Sequence, residues 1–497
     1  MVLPSFSAWP AVTAACIAVA ILITVVYRWL LHPLRSFPGP WTHGITDIPS
    51  ALKLSNGVQH CHYYDLYRKY GPVVRVAPNE LLFTSADAWG IFMGTKGKVM
   101  ERSPNFIGVA SPMNGYVGVG LARGKEHTRQ RKALAPALSK NALYGQEEII
   151  QRHISALIEA LHKTVAEGDA ANMSDYYLSY GEPFGCLAQG SATEWAKSII
   201  NVTIYATYDQ AIRRVAGVDT WFRNLIIKAF VPTEVAKWIV LHVQKSKEKT
   251  LQRLADTTNK DVIHHLLQNE DSKKALSSTE IILNMILFAS AGSETTSITL
   301  TAWTYLICTH KNVYDRLCTE IRSAFKTRDE IKVDSVMKLP YLGATINEAL
   351  RLFPAGAVAM QRVVPTGGAT IDGHYVPAGT TVAISPWVAG RSPSNFHDAD
   401  AFRPERWLQE DPEFAEHRLN ASRPFGYGPK KCIGEELSFL EMRLIGSHLL
   451  STFDLELDMS GDRRKDNEAW CLTPRPETIK LYQVLLKPNL WVRLIKR

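Results

Sequence analysis

Cys432 closes the run Arg423 to Gly434 (RPFGYGPKKCIG), where glycine, proline and aromatic residues crowd together. Such a run predicts a tight loop rather than a helix or strand, and an apolar-periodic helix follows over Leu437 to Leu450. A thiolate at a helix N-terminus, ringed by backbone N–H groups, suits metal ligation or nucleophilic catalysis. A buried structural thiol explains a single cysteine equally well, so the loop alone leaves the choice open.

Three further groupings carry polar chemistry. Ala291-Gly292-Ser293-Glu294-Thr295-Thr296 sits inside the long apolar stretch Ile281 to Leu300, where a buried acid and alcohol are unfavourable unless partnered or used. His127 and Arg131, four residues apart, project from one helical face and suit an anion, although a solvated basic face fits as well. Glu348 and Arg351 stand three apart on a helix ending before Pro354, a spacing common on protein surfaces.

The elements that must hold these groups are mostly helical. Residues 145 to 275 read as helices, broken at Gly168, Gly190-Ser191 and Val231-Pro232. A hairpin is predicted from Val73-Val74-Arg75-Val76 and Leu81-Leu82-Phe83-Thr84, and another around Asp372-Gly373. Phe106 to Val119, apolar and glycine-rich without period, reads as a flexible pocket wall or an ordinary buried loop. The 497 residues are 46% hydrophobic and 21% charged, a globular composition. Seven scattered cysteines without a Cys-x-x-Cys pair argue against a disulfide framework or zinc site and for a reducing compartment. From Ala8 to Tyr27 the chain carries no charge, is long enough to span a bilayer, and is followed by Arg28 and Arg35. The positive-inside rule then places the body in the cytosol, and the missing basic n-region argues against a cleaved signal. Pro33 and Phe37-Pro38-Gly39-Pro40 form a stiff segment after it. The sequons at Asn172, Asn201 and Asn420 are then chance matches.

In register, these motifs resemble the cytochrome P450 family, and the resemblance runs from the apolar N-terminus to about Leu450. Phe425, Gly428, Lys430, Cys432 and Gly434 resemble its haem-binding loop. The resemblance implies haem b (iron protoporphyrin IX), with Cys432 as axial ligand of the iron and Phe425 beside the sulfur. Lys430 stands where the family usually has arginine. His127, Arg131 and Arg362 resemble its propionate ligands, and Ala291 lies in its distal-helix motif, which assigns a proton relay to Glu294 and Thr295. The family joins Glu348 and Arg351 to a second arginine, here Arg406 in Phe402 to Trp407 (FRPERW), as a buried structural network. Gly390 stands where the family often has histidine, so a contact is expected to be missing.

The implied fold is mainly α with small β-sheets, a cytochrome P450-like fold preceded by one transmembrane helix. Residues 1–32 are the expected anchor, 33–45 a proline-rich hinge and 46–497 the haem-binding catalytic domain. The implied function is a membrane-anchored monooxygenase using O2 and NADPH electrons from cytochrome P450 reductase, with cytochrome b5 as a further partner and no nucleic acid. It is expected in the endoplasmic reticulum membrane, single-pass, with its body cytosolic. The expected substrate is small and hydrophobic, a terpenoid or polyketide intermediate by likeness to fungal members. A haem-thiolate isomerase or dehydratase, which often lacks the acid-alcohol pair, and a non-catalytic haem sensor are the alternatives. Lys430, Lys431, Arg129 and Lys132 are expected to present a basic face to an acidic reductase.

Overall fold

The computed structural model describes residues 9–94, 100–106, 112–179, 193–255, 262–267, 275–408, 412–471 and 478–497. Ala8, positions 107–111 of the Phe106 to Val119 stretch, and Gly190-Ser191 lie outside them. The described chain is mainly helical with small sheets.

Helix α1 (Trp9–Val26) runs into one wider turn, Tyr27–Leu31, and the 22-residue apolar span Pro10–Leu31 has none of its length buried against the body. At 1.5 Å per residue that span covers roughly 30 Å, about the thickness of a bilayer core. The segment after it is fastened down. Leu34 is fully buried, and a side chain at Gly39 would lie 2.5 Å from the carbonyl oxygen of Arg75. Arg75 donates its backbone N–H to Pro38 (2.7 Å) and its guanidinium to the carbonyls of Arg28 (3.4 Å) and Pro78 (2.8 Å). One buried arginine thus ties the end of the apolar helix to the first strand.

The main sheet begins with the expected hairpin, β1 (Val73–Ala77) and β2 (Glu80–Phe83). β2 runs parallel to β8 (Thr381–Ile384), which pairs antiparallel with β5 (Met360–Val363), and β3 (Glu101–Arg102) closes the far edge. That last pairing sets Arg102 opposite Arg362, a juxtaposition of like charge that tertiary structure creates. β6 (Ala369–Ile371) and β7 (His374–Val376) form the second hairpin; Asp372 and Gly373 adopt φ of 48° and 79°, the left-handed values a two-residue turn of this type requires. Near the C-terminus β10 (Leu481–Tyr482) and β11 (Val484–Leu485) fold back around Gln483.

Five helices position the chemistry: α2 (Gly124–Leu134), α3 (Glu194–Ala216), α4 (Ser278–Thr309), α5 (Pro340–Leu352) and α6 (Glu435–Thr452). α4 extends beyond the apolar stretch because Ser277 and Glu280 form a capping box at its start. α4, α5 and α6 meet in the largest core cluster, around Trp303, Leu342, Ile346 and Ile445. Trp303 donates to Thr345 (3.0 Å), and a side chain at Gly446 would touch the Trp303 ring at 3.0 Å, so the glycine allows close approach of α6 to α4.

Candidate active site

The cysteine loop is held open by left-handed glycines. Gly426 and Gly428 both have φ of 73°, and a side chain at Gly428 would lie 2.5 Å from the carbonyl oxygen of Met93. Cys432 donates its backbone N–H to Phe425 (2.7 Å), and Phe425 packs against Phe439 of α6 with ring centroids 5.2 Å apart. These contacts present Sγ to a cavity of about 400 Å³. Burial pushes the Cys432 thiol up, outweighing the backbone N–H of Gly434 and the charges of Arg131 and Lys431, which favour the thiolate. The Gly434 N–H and these charges favour the anion without offsetting its burial, and a cationic partner such as a metal ion would complete its stabilisation.

One end of this cavity is electropositive. Arg362 is buried there, its hydrogen-bond partners among the described residues being the Gln361 carbonyl (2.8 Å) and the Met93 sulfur (3.1 Å), and burial together with Arg102 brings its guanidinium down to about 10. Arg102 donates to the Gly120 carbonyl and stacks on Phe106 at 4.9 Å. Lys430 pairs with Glu101, and burial lowers its ammonium despite that partner. Three cations against one carboxylate leave an excess of two positive charges, complementary to a dianion such as the two carboxylates of haem b. His127 is buried beside them, pushed down to about 4 by burial, Arg102 and Lys430, so it is a neutral donor at pH 7. Arg131, one turn further along α2, turns instead to the loop and donates to the Lys431 carbonyl (2.6 Å). The thiol, the glycine cradle and the charge excess together fit a haem.

α4 forms the opposite wall. Ala291, Thr295, Thr296 and Thr299 all border the cavity. Thr295 Oγ1 donates to the Ala291 carbonyl (2.6 Å). Thr296, the next position along the helix, also borders the cavity, and its buried Oγ1 has no partner among the described residues. Glu294 faces elsewhere: Oε1 accepts from Lys487 Nζ (2.7 Å), with both side chains buried, and Oε2 has no partner. The acid and alcohol are thus neighbours in sequence with different surroundings. Thr296 and Ser438 also border a second cavity of about 180 Å³, where burial pushes the Glu441 carboxyl up to about 8.

Beneath the loop, Glu348, Arg351 and Arg406 form one buried cluster. Arg351 donates to both carboxylate oxygens of Glu348 (2.8 and 2.7 Å), and Arg406 (2.8 Å), Trp407 Nε1 (2.8 Å) and the backbone of Arg403 (3.0 Å) complete five hydrogen bonds to it. Burial alone would raise the Glu348 carboxyl, yet Arg351 and Arg406 hold it below its ordinary value. Gly390 belongs to this cluster. Its carbonyl accepts from Arg351 (2.6 Å), and a side chain there would lie 2.8 Å from the Arg351 carbonyl oxygen, so the glycine makes room for the network.

Arg102 and Lys487 escape a reading of the sequence because strand pairing and a distant loop deliver them; a lysine in the apolar run Val484-Leu485-Leu486-Lys487 is the only local signal. The expected basic docking face also changes. Lys430 points inward to Glu101, Arg129 pairs with Glu126 and Glu280, and Lys431 pairs with Glu435, whereas Lys132 stays exposed.

The family model for cytochrome P450 matches residues 39–482. Over 495 residues the chain is 48% identical to cytochrome P450 monooxygenase aba2 of Botryotinia fuckeliana (strain B05.10), covering 97% of this chain and 94% of that protein. Cytochrome P450 monooxygenase ABA2 of Pyricularia oryzae (strain 70-15) is 46% identical, with 96% and 94% covered. Averantin hydroxylase of Dothistroma septosporum is 34% identical over 96% of this chain and 89% of that protein.

Proposed function

The chain belongs to the cytochrome P450 family and is a monooxygenase with relatives in fungal secondary metabolism, and from that premise we propose a membrane-anchored enzyme of the endoplasmic reticulum that oxidises a small hydrophobic terpenoid or polyketide intermediate. NADPH-cytochrome P450 reductase supplies its electrons, with cytochrome b5 as a second donor. The observation that carries this reading is a single cavity with a thiol on its floor, two unmatched positive charges at one end and an apolar wall including Phe106, Leu350, Val358 and Ala359.

When bound, haem b supplies activation of O2 and transfer of one oxygen atom to a C–H bond. Cys432 Sγ would hold its iron, the Gly434 N–H directs a dipole at that sulfur, and the packing of Phe425 on Phe439 fixes the loop that carries it. Arg362, Arg102, Lys430 and neutral His127 would hold its carboxylates, with Arg131 fixing the loop through the Lys431 carbonyl. Thr295 holds a hydroxyl proton at the cavity wall, where a small rotation exchanges its Ala291 acceptor for a water or a reacting oxygen. Glu294 can take part in proton delivery only after leaving Lys487. For the reductase, the exposed cations Lys132, Lys125 and Arg123 on or beside α2 offer the charge that inward-facing Lys430 does not.

A reduced, CO-bound sample is expected to show the red-shifted Soret band of thiolate ligation, and Cys432→Ser to abolish it. Deleting residues 1–32 is expected to release protein from membranes with that band intact. Product analysis with and without NADPH and reductase separates oxygenation from isomerisation: conversion of terpenoid or polyketide candidates without NADPH would overturn the proposed electron route.

A further inference from the structure

The cavity wall that includes α3 and the C-terminal hairpin carries glutamines among apolar side chains. Gln210 comes from α3, Gln361 from β5 and Gln483 from the turn between β10 and β11. Gln483 adopts a φ of 62°, a left-handed conformation that a non-glycine residue keeps only when its surroundings impose it. Its Nε2 donates to Gln210 Oε1 (2.7 Å) and approaches Thr207 Oγ1 (3.5 Å). One hydrogen bond between two primary amides leaves a carbonyl oxygen on one and an NH2 group on the other, whichever way each amide is turned. Neither leftover group has a protein partner among the described residues. Gln361 adds a third amide; its Nε2 is taken by Glu80 (2.9 Å), which Arg214 of α3 holds in turn, and its Oε1 has no partner.

Polar groups left unmade in a largely apolar cavity are unfavourable and call for a partner. We infer that the paired amides of Gln210 and Gln483 recognise an oxygen function that both donates and accepts, a hydroxyl or un-ionised carboxyl, on an otherwise hydrocarbon substrate. The pair fixes one end of the substrate at α3 and the hairpin turn and so selects which carbon faces Cys432. This rests on the proposed small hydrophobic substrate and narrows it: the enzyme acts on an intermediate that already carries oxygen, so an oxygenating or hydrolytic step must precede it.

The test titrates full-length ferric holoenzyme and reads the spin-state shift of the Soret band. The probes are farnesol, farnesyl methyl ether and farnesene, together with dodecanol, dodecyl methyl ether and dodecane. Each ether keeps the acceptor and loses the donor. The alcohols are expected to bind about tenfold more tightly than the ethers, the size of one well-made hydrogen bond, and the ethers more tightly than the hydrocarbons, which can make neither bond. Gln210→Met and Gln483→Met are each expected to erase that preference while hydrocarbon affinity stays within about twofold, and the double variant to lose no more than either alone. An unchanged CO-bound band in each variant confirms that the fold and haem are intact. Equal affinities for alcohol, ether and hydrocarbon in the unaltered enzyme would overturn the amide site and leave the hydrophobic-substrate reading standing. No spin-state shift with any of the six compounds would overturn both.

Discussion

The cluster around Glu348 and the helix α4 treat buried carboxylates in opposite ways. Glu348 receives five hydrogen bonds and lies between two arginines, with every oxygen engaged. Glu294 receives one, from Lys487, and keeps an oxygen without a partner, close to the unpartnered hydroxyl-bearing Thr296 in sequence. A saturated cluster has one arrangement and resists change. An incompletely satisfied one can exchange partners at small cost, which is what moving a proton requires. The difference separates a part that must keep the sulfur in place from a part that must rearrange in each turnover.

Removing Glu348 is the strongest challenge to that contrast. Glu348→Ala leaves Arg351 and Arg406 buried without their carboxylate and is expected to destabilise the fold by about 3–5 kcal/mol, read as a lost denaturation transition or failure to bind haem. A variant that unfolds like the parent would show that the cluster is not what holds the loop. Thr295→Ala addresses the α4 side and is expected to leave haem content and thermal stability almost untouched. Oxygenation should fall on the order of 10²-fold, with more NADPH electrons recovered as hydrogen peroxide. Thr296→Ala is a necessary companion, since both threonines border the cavity; full coupling in both variants would remove the relay from this helix.

Lys487→Met sharpens the contrast by taking away the single partner of Glu294. Glu294 would be left buried without its cation, and a destabilisation of about 3 kcal/mol is expected, the low end for breaking a buried ion pair because a single hydrogen bond is lost, below that of Glu348→Ala. A loss equal to that of Glu348→Ala would mean the two sides are equally committed. The smallest effect belongs to neither side. His43 and His62 stack with Nε2 atoms 2.9 Å apart. Burial first, then Arg214 for His43 and His43 itself for His62, pushes each down to about 4. Unfolded histidine titrates near 6.5, so between about pH 6.5 and 4 the unfolded chain binds protons that the folded one refuses, and stability falls as pH falls. His62→Gln should make the shift of the denaturant midpoint between pH 7 and pH 5 smaller.

What the sequence disclosed follows from how each part is encoded. The cysteine loop, the buried helix and the two hairpins are written in contiguous residues with local rules: glycine at left-handed positions, an apolar run, an Asp-Gly turn. Glu348 and Arg351 lie one turn apart, and Arg406 joined them only through family likeness; the distances now link all three. At Gly390 the carbonyl of Arg351, from another helix, leaves no room for a side chain, which no local pattern announces. Lys430 and Arg129 looked like free surface charge because Glu101 and Glu280, which neutralise them, lie 329 and 151 residues away in the chain. The Gln210–Gln483 amide pair had no signature at all, being the meeting of a helix and a hairpin turn 273 residues apart.

The crowding of Arg102, Arg362 and Lys430 has a bearing on the life of the polypeptide in a cell. Until a dianion arrives, those cations repel one another inside the body, so a newly made chain is weaker than the finished enzyme and gains its full stability only on binding. A chain that waits for its haem is exposed to proteases for as long as it waits. At a given rate of synthesis, the abundance of this protein should therefore rise with the supply of haem.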